Sequence, residues 1–188
     1  MMSASEYNIG VYSFEEMGFL NLLPGCFFLQ VERKDMDQND KQKRCVVDAN
    51  DDDAEAARWY RPEVAFGLAY EYLHPGQSIL DIGIGTGLGS VLFRKAGLDV
   101  HGKDASREML DACRSKGFTA LTLHDLERSP YPYDAESMDH AICVGVLNFF
   151  SDLPPIFEET ARVLRRGGLF VFVVGDREEN EPGLESAV

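Results

Sequence analysis

Polar and apolar positions change rhythm along this chain, and the change divides it in two. From Ser78 onward, short apolar runs alternate with segments of helical period. Ser78 to Ile82 predicts a strand, Leu88 to Lys95 a helix, Leu98 to Gly102 a strand, and Ser106 to Lys116 a helix capped by Ser106 and stopped by Gly117. Thr119 to Leu123, His140 to Val144 and Leu169 to Val174 predict three more strands. A helix from Asp152 to Leu164 separates the last two, opened by Pro154 and Pro155 and closed by Arg165, Arg166, Gly167 and Gly168. Strands separated by helical crossovers predict an α/β fold, a doubly wound and mostly parallel sheet with helices on both faces.

Upstream the rhythm weakens. Ala54 to Tyr60 and Pro62 to Leu73 read as helices, the second with Val64, Leu68 and Tyr72 on one stripe, and Pro75 and Gly76 end it. Asp35 to Glu55 is dominated by Asp, Asn, Gln and Lys and has too little apolar surface to offset the entropy of ordering, so it reads as a solvated linker. The first 34 residues are mildly apolar and hold neither period for long. The division that follows is an extension and polar linker over residues 1–53 and a main domain over 54–188.

Composition adds limits rather than new elements. A chain of 188 residues fits one domain, and at this size a hydrophobic core forms without disulfide or metal staples. Thirty-two acidic against 18 basic residues give a formal charge of −14, a field that repels polyphosphates and disfavours nucleic acid or an anionic membrane as partner. Cys26, Cys45, Cys113 and Cys143 show no metal-ligand or redox spacing, and the four histidines are scattered, so no metal site is expected. Scattered cysteines, no long apolar run and no secretion-type start together predict a reduced, cytoplasmic protein with no membrane anchor.

The chemistry concentrates in Ser78-Ile-Leu-Asp81-Ile-Gly83-Ile-Gly85-Thr-Gly87-Leu-Gly89, which runs from a buried strand through a tight turn into a helix. Alternate glycines suit a loop whose backbone wraps a ligand, and the carboxyl end of a strand in a parallel sheet is where such ligands sit. The dinucleotide fingerprint needs a third glycine three residues after the second. Starting from Gly83, Gly85 or Gly87 that place falls on Leu88, Ser90 or Leu92. A nucleoside-triphosphate loop is excluded by the absence of its Gly-Lys-Ser/Thr ending. What remains is D-x-G-x-G-x-G, with Asp81 placed to oppose a pyrophosphate and favour an ammonium group.

In these residues the chain resembles the class I S-adenosylmethionine-dependent methyltransferases, from about Trp59 to Gly175. The resemblance implies a Rossmann-like fold with S-adenosylmethionine as cofactor. It assigns Gly83, Gly85 and Gly87 to cradling the amino-acid end of the cofactor and Asp81 to holding its amino group. Asp104, followed by Ala105, stands where the family's carboxylate accepts both ribose hydroxyls. Asp125 matches the acid that reads the adenine amino group, and Leu126 supplies the amide beside it. Cys143 and Val144 end the strand that faces the sulfonium and contribute backbone. Tyr60 stands where relatives place an aromatic lid, while Trp59 serves equally as lid or sheet-edge packing. Asn148, Phe149 and Phe150 follow the fourth strand, where substrate approaches, and two adjacent phenylalanines fit core packing as well. Asp139, at the wrong end of its strand for catalysis, reads as structural. No catalytic residue is assigned, and the stretch Gly145 to Phe150 lacks the D/N-P-P-Y pattern of amide and adenine methylation.

The family's sheet continues for two strands beyond the fifth, whereas residues 175–188 here are too polar to supply them. The expectation is therefore a C-terminally truncated sheet, with either a bare edge that invites a homodimer or the apolar stretch Val11 to Val31 covering it. The function expected is methyl transfer to a small-molecule or protein acceptor. A cofactor-binding module without turnover, acting through a protein partner, is the alternative.

Overall fold

The computed structural model describes residues 7–13, 27–33, 61–150 and 152–175. Seven strands, β1 (Tyr7–Ser13), β2 (Phe27–Arg33), β3 (Ser78–Ile82), β4 (Asp99–Asp104), β5 (Ala120–Leu123), β6 (Met138–Cys143) and β7 (Leu164–Gly175), form one sheet in the order β1-β2-β7-β6-β3-β4-β5. Every neighbouring pair is parallel except β1 with β2. Among the described residues four α-helices flank the sheet, α1 (Arg61–Ala69), α2 (Val91–Lys95), α3 (Arg107–Ser115) and α4 (Pro154–Val163).

Nearly every residue of β3 and β6 is buried, as a parallel sheet covered on both faces demands. One face carries Ile79, Ile142 and Val171 and packs against Ala65 and Ala69 of α1, Phe93 of α2 and Leu110 of α3. The other carries Leu80, Phe170 and Phe172 and packs against Ile156, Phe157 and Ala161 of α4 and against Tyr131 of the β5 to β6 connection. The doubly wound α/β architecture read from the alternation of elements is the one observed.

Boundaries differ in ways the geometry explains. The stripe expected on α1 is displaced: Ala65 and Ala69 are fully buried, Val64 and Leu68 half-buried, and Tyr72 is 49% exposed. Small residues let the helix approach the sheet, and the tighter turn at Tyr70–Tyr72 swings Tyr72 outward. The helix expected from Leu88 begins instead as a 3₁₀ turn, Leu88–Ser90. β4 runs two residues further than expected and ends on Asp104. Ser106 caps α3 as expected, accepting from the Met109 amide at 3.2 Å. β7 starts early because Leu164 pairs with Met138 while Leu169 pairs with His140, so Arg165 to Gly168 bulge opposite Asp139. Ala54 to Tyr60 and the polar linker lie outside the described residues.

The outer edge of β7, where the family's last strands would pair, is occupied by β2, with Phe27 opposite Leu169 and Arg33 opposite Gly175. β1 lies antiparallel outside it. Two strands thus come from the part of the chain assigned to the extension. The edge on which the homodimer expectation rested is paired within the chain.

Candidate active site

The strand order brings the carboxyl ends of β6, β3, β4 and β5 side by side, and the glycine loop rises between β3 and β4. The Lys103 carbonyl accepts the Gly83 and Ile84 amides at 2.9 and 3.0 Å, so the loop hangs from the penultimate residue of β4. Asp104 anchors it again: Oδ2 accepts the Gly85 amide and Oδ1 the Ser106 amide, each at 2.9 Å. The Cys113 thiol of α3 donates to the Gly85 carbonyl at 3.1 Å.

All three motif glycines have positive φ, at 76°, 54° and 85° for Gly83, Gly85 and Gly87, a region that costs an L side chain. Their surroundings separate them. A Cβ on Gly83 would lie 2.6 Å from a Val146 methyl, and one on Gly87 would lie 2.6 Å from the Phe118 ring, so both are filled from within the fold. A Cβ on Gly85 would meet nothing within 4 Å. The middle glycine is the one open outward, with room for a ligand against its main chain.

Asp81 is the penultimate residue of β3, its side chain almost wholly buried, and the Ser90 hydroxyl donates to Oδ2 at 2.6 Å. Burial pushes its carboxyl up to about 7, opposed by the Ser90 hydrogen bond and assisted by the nearby Asp104 charge. Asp104 is half-buried and Ala105 exposed. Asp125 is exposed beyond β5 and accepts the Glu127 amide at 3.1 Å. Leu126 is buried, and its carbonyl accepts from the Tyr131 hydroxyl at 3.2 Å. Cys143 is fully buried and its thiol is held well above the ordinary range by that burial, which suits a backbone contributor and not a nucleophile; Val144 is buried beside it. Gly83, Gly85, Gly87, Asp81 and Asp104 therefore form one connected unit, with Asp125 and Leu126 at the end of the adjacent strand. Tyr60 and Trp59 lie outside the described residues.

The phenylalanine pair divides: Phe149 is 53% exposed, whereas Phe150 packs against the core. Asp139 sits at the opposite end of the sheet, accepting the Ser78 amide and hydroxyl at 2.8 and 2.9 Å and pairing with Arg165. Sequence reasoning passed over Ser90 and Lys103. Ser90 had a faint signal, a hydroxyl directly after the glycine run at the start of an apolar helix. Lys103 had none, because alternation along β4 assigns it a face without saying that the face is sealed. Its ammonium is fully buried over the Tyr131 ring, 2.8 Å from the centroid, without a hydrogen-bond partner. Burial pulls it down to about 7, against the attraction of Cys143, Glu159 and Asp125. No group of metal-ligating side chains occurs among the described residues, and no helix among them is long and apolar enough to cross a membrane.

Comparison with known proteins agrees with this geometry. Residues 80–172 match a family described as a methyltransferase domain. The malonyl-[acyl-carrier protein] O-methyltransferase of Serratia marcescens is 39% identical over 100 residues, which cover 53% of this chain and 38% of that protein. The ubiquinone biosynthesis O-methyltransferase of Actinobacillus pleuropneumoniae serotype 7 is 26% identical over 138 residues, covering 62% of this chain and 59% of its own length. Among solved structures, the complex of the Haloferax volcanii Trm112 methyltransferase activator with a methyltransferase aligns with a TM-score of 0.57 at 27% identity, over 73% of this chain and 60% of that one. The match to each of these proteins falls short of two thirds of its length. The shared sheet, the glycine loop with its paired acids and the family match together identify residues 80–172 as a methyltransferase domain of the class I S-adenosylmethionine-dependent kind, for which S-adenosylmethionine is the cofactor.

Proposed function

We propose that the protein transfers the methyl group of S-adenosylmethionine to an oxygen of a small-molecule acceptor. The observation that carries this reading is the open main chain at Gly85, set between β3, which carries Asp81 next to its last residue, and β4, which ends in Asp104. When bound, the cofactor supplies an electrophilic methyl group on its sulfonium. The residues of the chain bind and orient. A carboxylate has about four acceptor positions, so Asp104 holds its two backbone amides and still accepts two ribose hydroxyls. Asp81 faces the amino group, Asp125 and the Leu126 amide take the adenine, and the backbone of Cys143 and Val144 borders the sulfonium. Holding two reactants in attack geometry supplies about 7 to 11 kcal/mol with no covalent enzyme chemistry.

An acceptor already ionised, a carboxylate or phenolate, needs no general base. Two relatives support that class, since both are named as O-methyltransferases, one of them acting on malonyl-acyl carrier protein. The exposed Phe149 ring, just beyond Val144, offers such a molecule an apolar surface. A second reading, a cofactor-binding module that works through a protein partner, draws support from the Trm112 complex among its structural relatives.

The test is titration of the full chain with S-adenosylmethionine, followed by transfer of a labelled methyl group to a panel of carboxylic acids and phenols. Binding that is lost in Gly85→Val, with labelled product in the wild type, is the expected result. Binding without transfer to any acceptor favours the partner-dependent reading, and no binding overturns both.

A further inference from the structure

Asp81 is a carboxyl group removed from water with no described cation beside it. It is 2% exposed, and its neutral partner, the Ser90 hydroxyl, is fully buried 2.6 Å away. The ionisable groups that reach it are acids, Asp104 from β4 and the Cys143 thiol from β6. Glu63, the titratable side chain described on α1, is exposed. The buried amine of Lys103 belongs to the opposite face, against Tyr131. A buried carboxylate without a countercharge keeps its proton until a cation arrives, because desolvation penalises the charged form.

We propose that cofactor binding expels the proton of Asp81, the ammonium group that the family resemblance already sets against this acid taking its place while Ser90 holds the freed carboxylate. This inference rests on the reading of the glycine loop as the cofactor site. The balance is simple: Asp81 gives one proton to solvent, the ammonium keeps its own, and an ion pair replaces a neutral acid. Because burial holds the carboxyl near 7, the exchange falls within the working pH range. Below that point the cofactor competes with the proton, and affinity falls about tenfold for each unit of pH. Ser90 is then a positioning residue. Its hydroxyl stabilises the ionised form, so losing it moves the pH midpoint of binding upward.

The experiment is calorimetric titration of the full chain with S-adenosylmethionine between pH 5.5 and 7.5, each pH in two buffers of different ionisation enthalpy. The expected result is release approaching one proton per cofactor at the acid end, declining toward neutrality. Asp81→Asn binds with no buffer dependence of the heat, Ser90→Ala moves the midpoint to higher pH, and Ser90→Thr restores it. S-adenosylhomocysteine keeps the ammonium and lacks the sulfonium charge, so it releases the same proton. Binding without proton release, or release that persists in Asp81→Asn, overturns the inference and leaves the cofactor site standing. Release with S-adenosylmethionine but not with S-adenosylhomocysteine also overturns it. Failure of the wild type to bind either molecule overturns the site and the inference together.

Discussion

Asp104 shows how much one side chain can do at the end of a strand. It ties the Gly85 amide to the Ser106 amide, and so joins the loop above β3 to the cap of α3. Replacing it with alanine frees both amides and, on the proposed reading, also removes the ribose acceptor. Asp104→Ala is expected to weaken S-adenosylmethionine binding about ten- to a hundredfold, from loss of charged hydrogen bonds of about 1.5 to 3 kcal/mol, with an unchanged circular dichroism spectrum. An unaltered dissociation constant removes Asp104 from the ribose. Lys103, next to it in sequence, acts in the other direction. Its amine sits near 7 when folded, against 10.5 in the open chain, so the unfolded state binds the extra proton and stability rises with pH between those values. Lys103→Met keeps the length and removes the desolvated amine. It is expected to raise stability at pH 7 by about 1 to 4 kcal/mol and to flatten that rise, as chemical denaturation at pH 7 and 9.5 would record. At this scale the loop that gathers the glycines beside Asp104 was legible, because a turn at a strand's end depends on residue type and spacing. Lys103 was not, because its burial depends on Tyr131 being folded over it from 28 residues further along the chain.

Elements were legible in kind and less so in extent. Periodicity marks a strand by its apolar middle, whereas the end of a strand is settled by its neighbour. β4 reaches Asp104 because β5 pairs with it as far as Leu123, and β7 starts at Leu164 because Met138 pairs there. A sequence read one segment at a time holds neither partner. The join between β6 and β7 also fixes His140, whose Nδ1 accepts the Leu169 amide at 3.3 Å while Nε2 lies 2.9 Å from Gln77 Oε1. Those partners suit the neutral ring with its proton on Nε2, since a charged imidazole has no acceptor for Leu169. Burial lowers its pKa below the usual 6.5, with His74 acting in the same direction and Asp139 opposing. The unfolded chain then takes up the proton first, so this contribution is complete above 6.5 and is lost as pH falls below it. Melting temperature is expected to decline more steeply between pH 6.5 and 5.5 in the wild type than in His140→Gln, and equal slopes would exclude His140 as the cause.

The whole molecule poses the question of its own edge. β2 closes the flank of β7, and β1 closes that of β2. The alternation of the main domain was readable because its crossovers are local, while the hairpin was harder to place because its pairing is made far away in sequence and its apolar run lacks a clear period. Removing residues 1–34 is expected to leave β7 unpaired and to drive self-association visible in light scattering, with cofactor affinity changing less than solubility. A monomeric deletion variant with intact binding would show that the hairpin is dispensable.

The pairing of Phe27 with Leu169 also orders events in time. A ribosome makes β2 before β7, at about 5 to 20 residues per second, so β2 has no seat until the strands between them have been synthesised. Contacts of such sequence separation form slowly, after local crossovers have already built the centre of the sheet. Docking of the hairpin is therefore expected to be a late step of folding, and until it docks β7 stands as an unpaired edge.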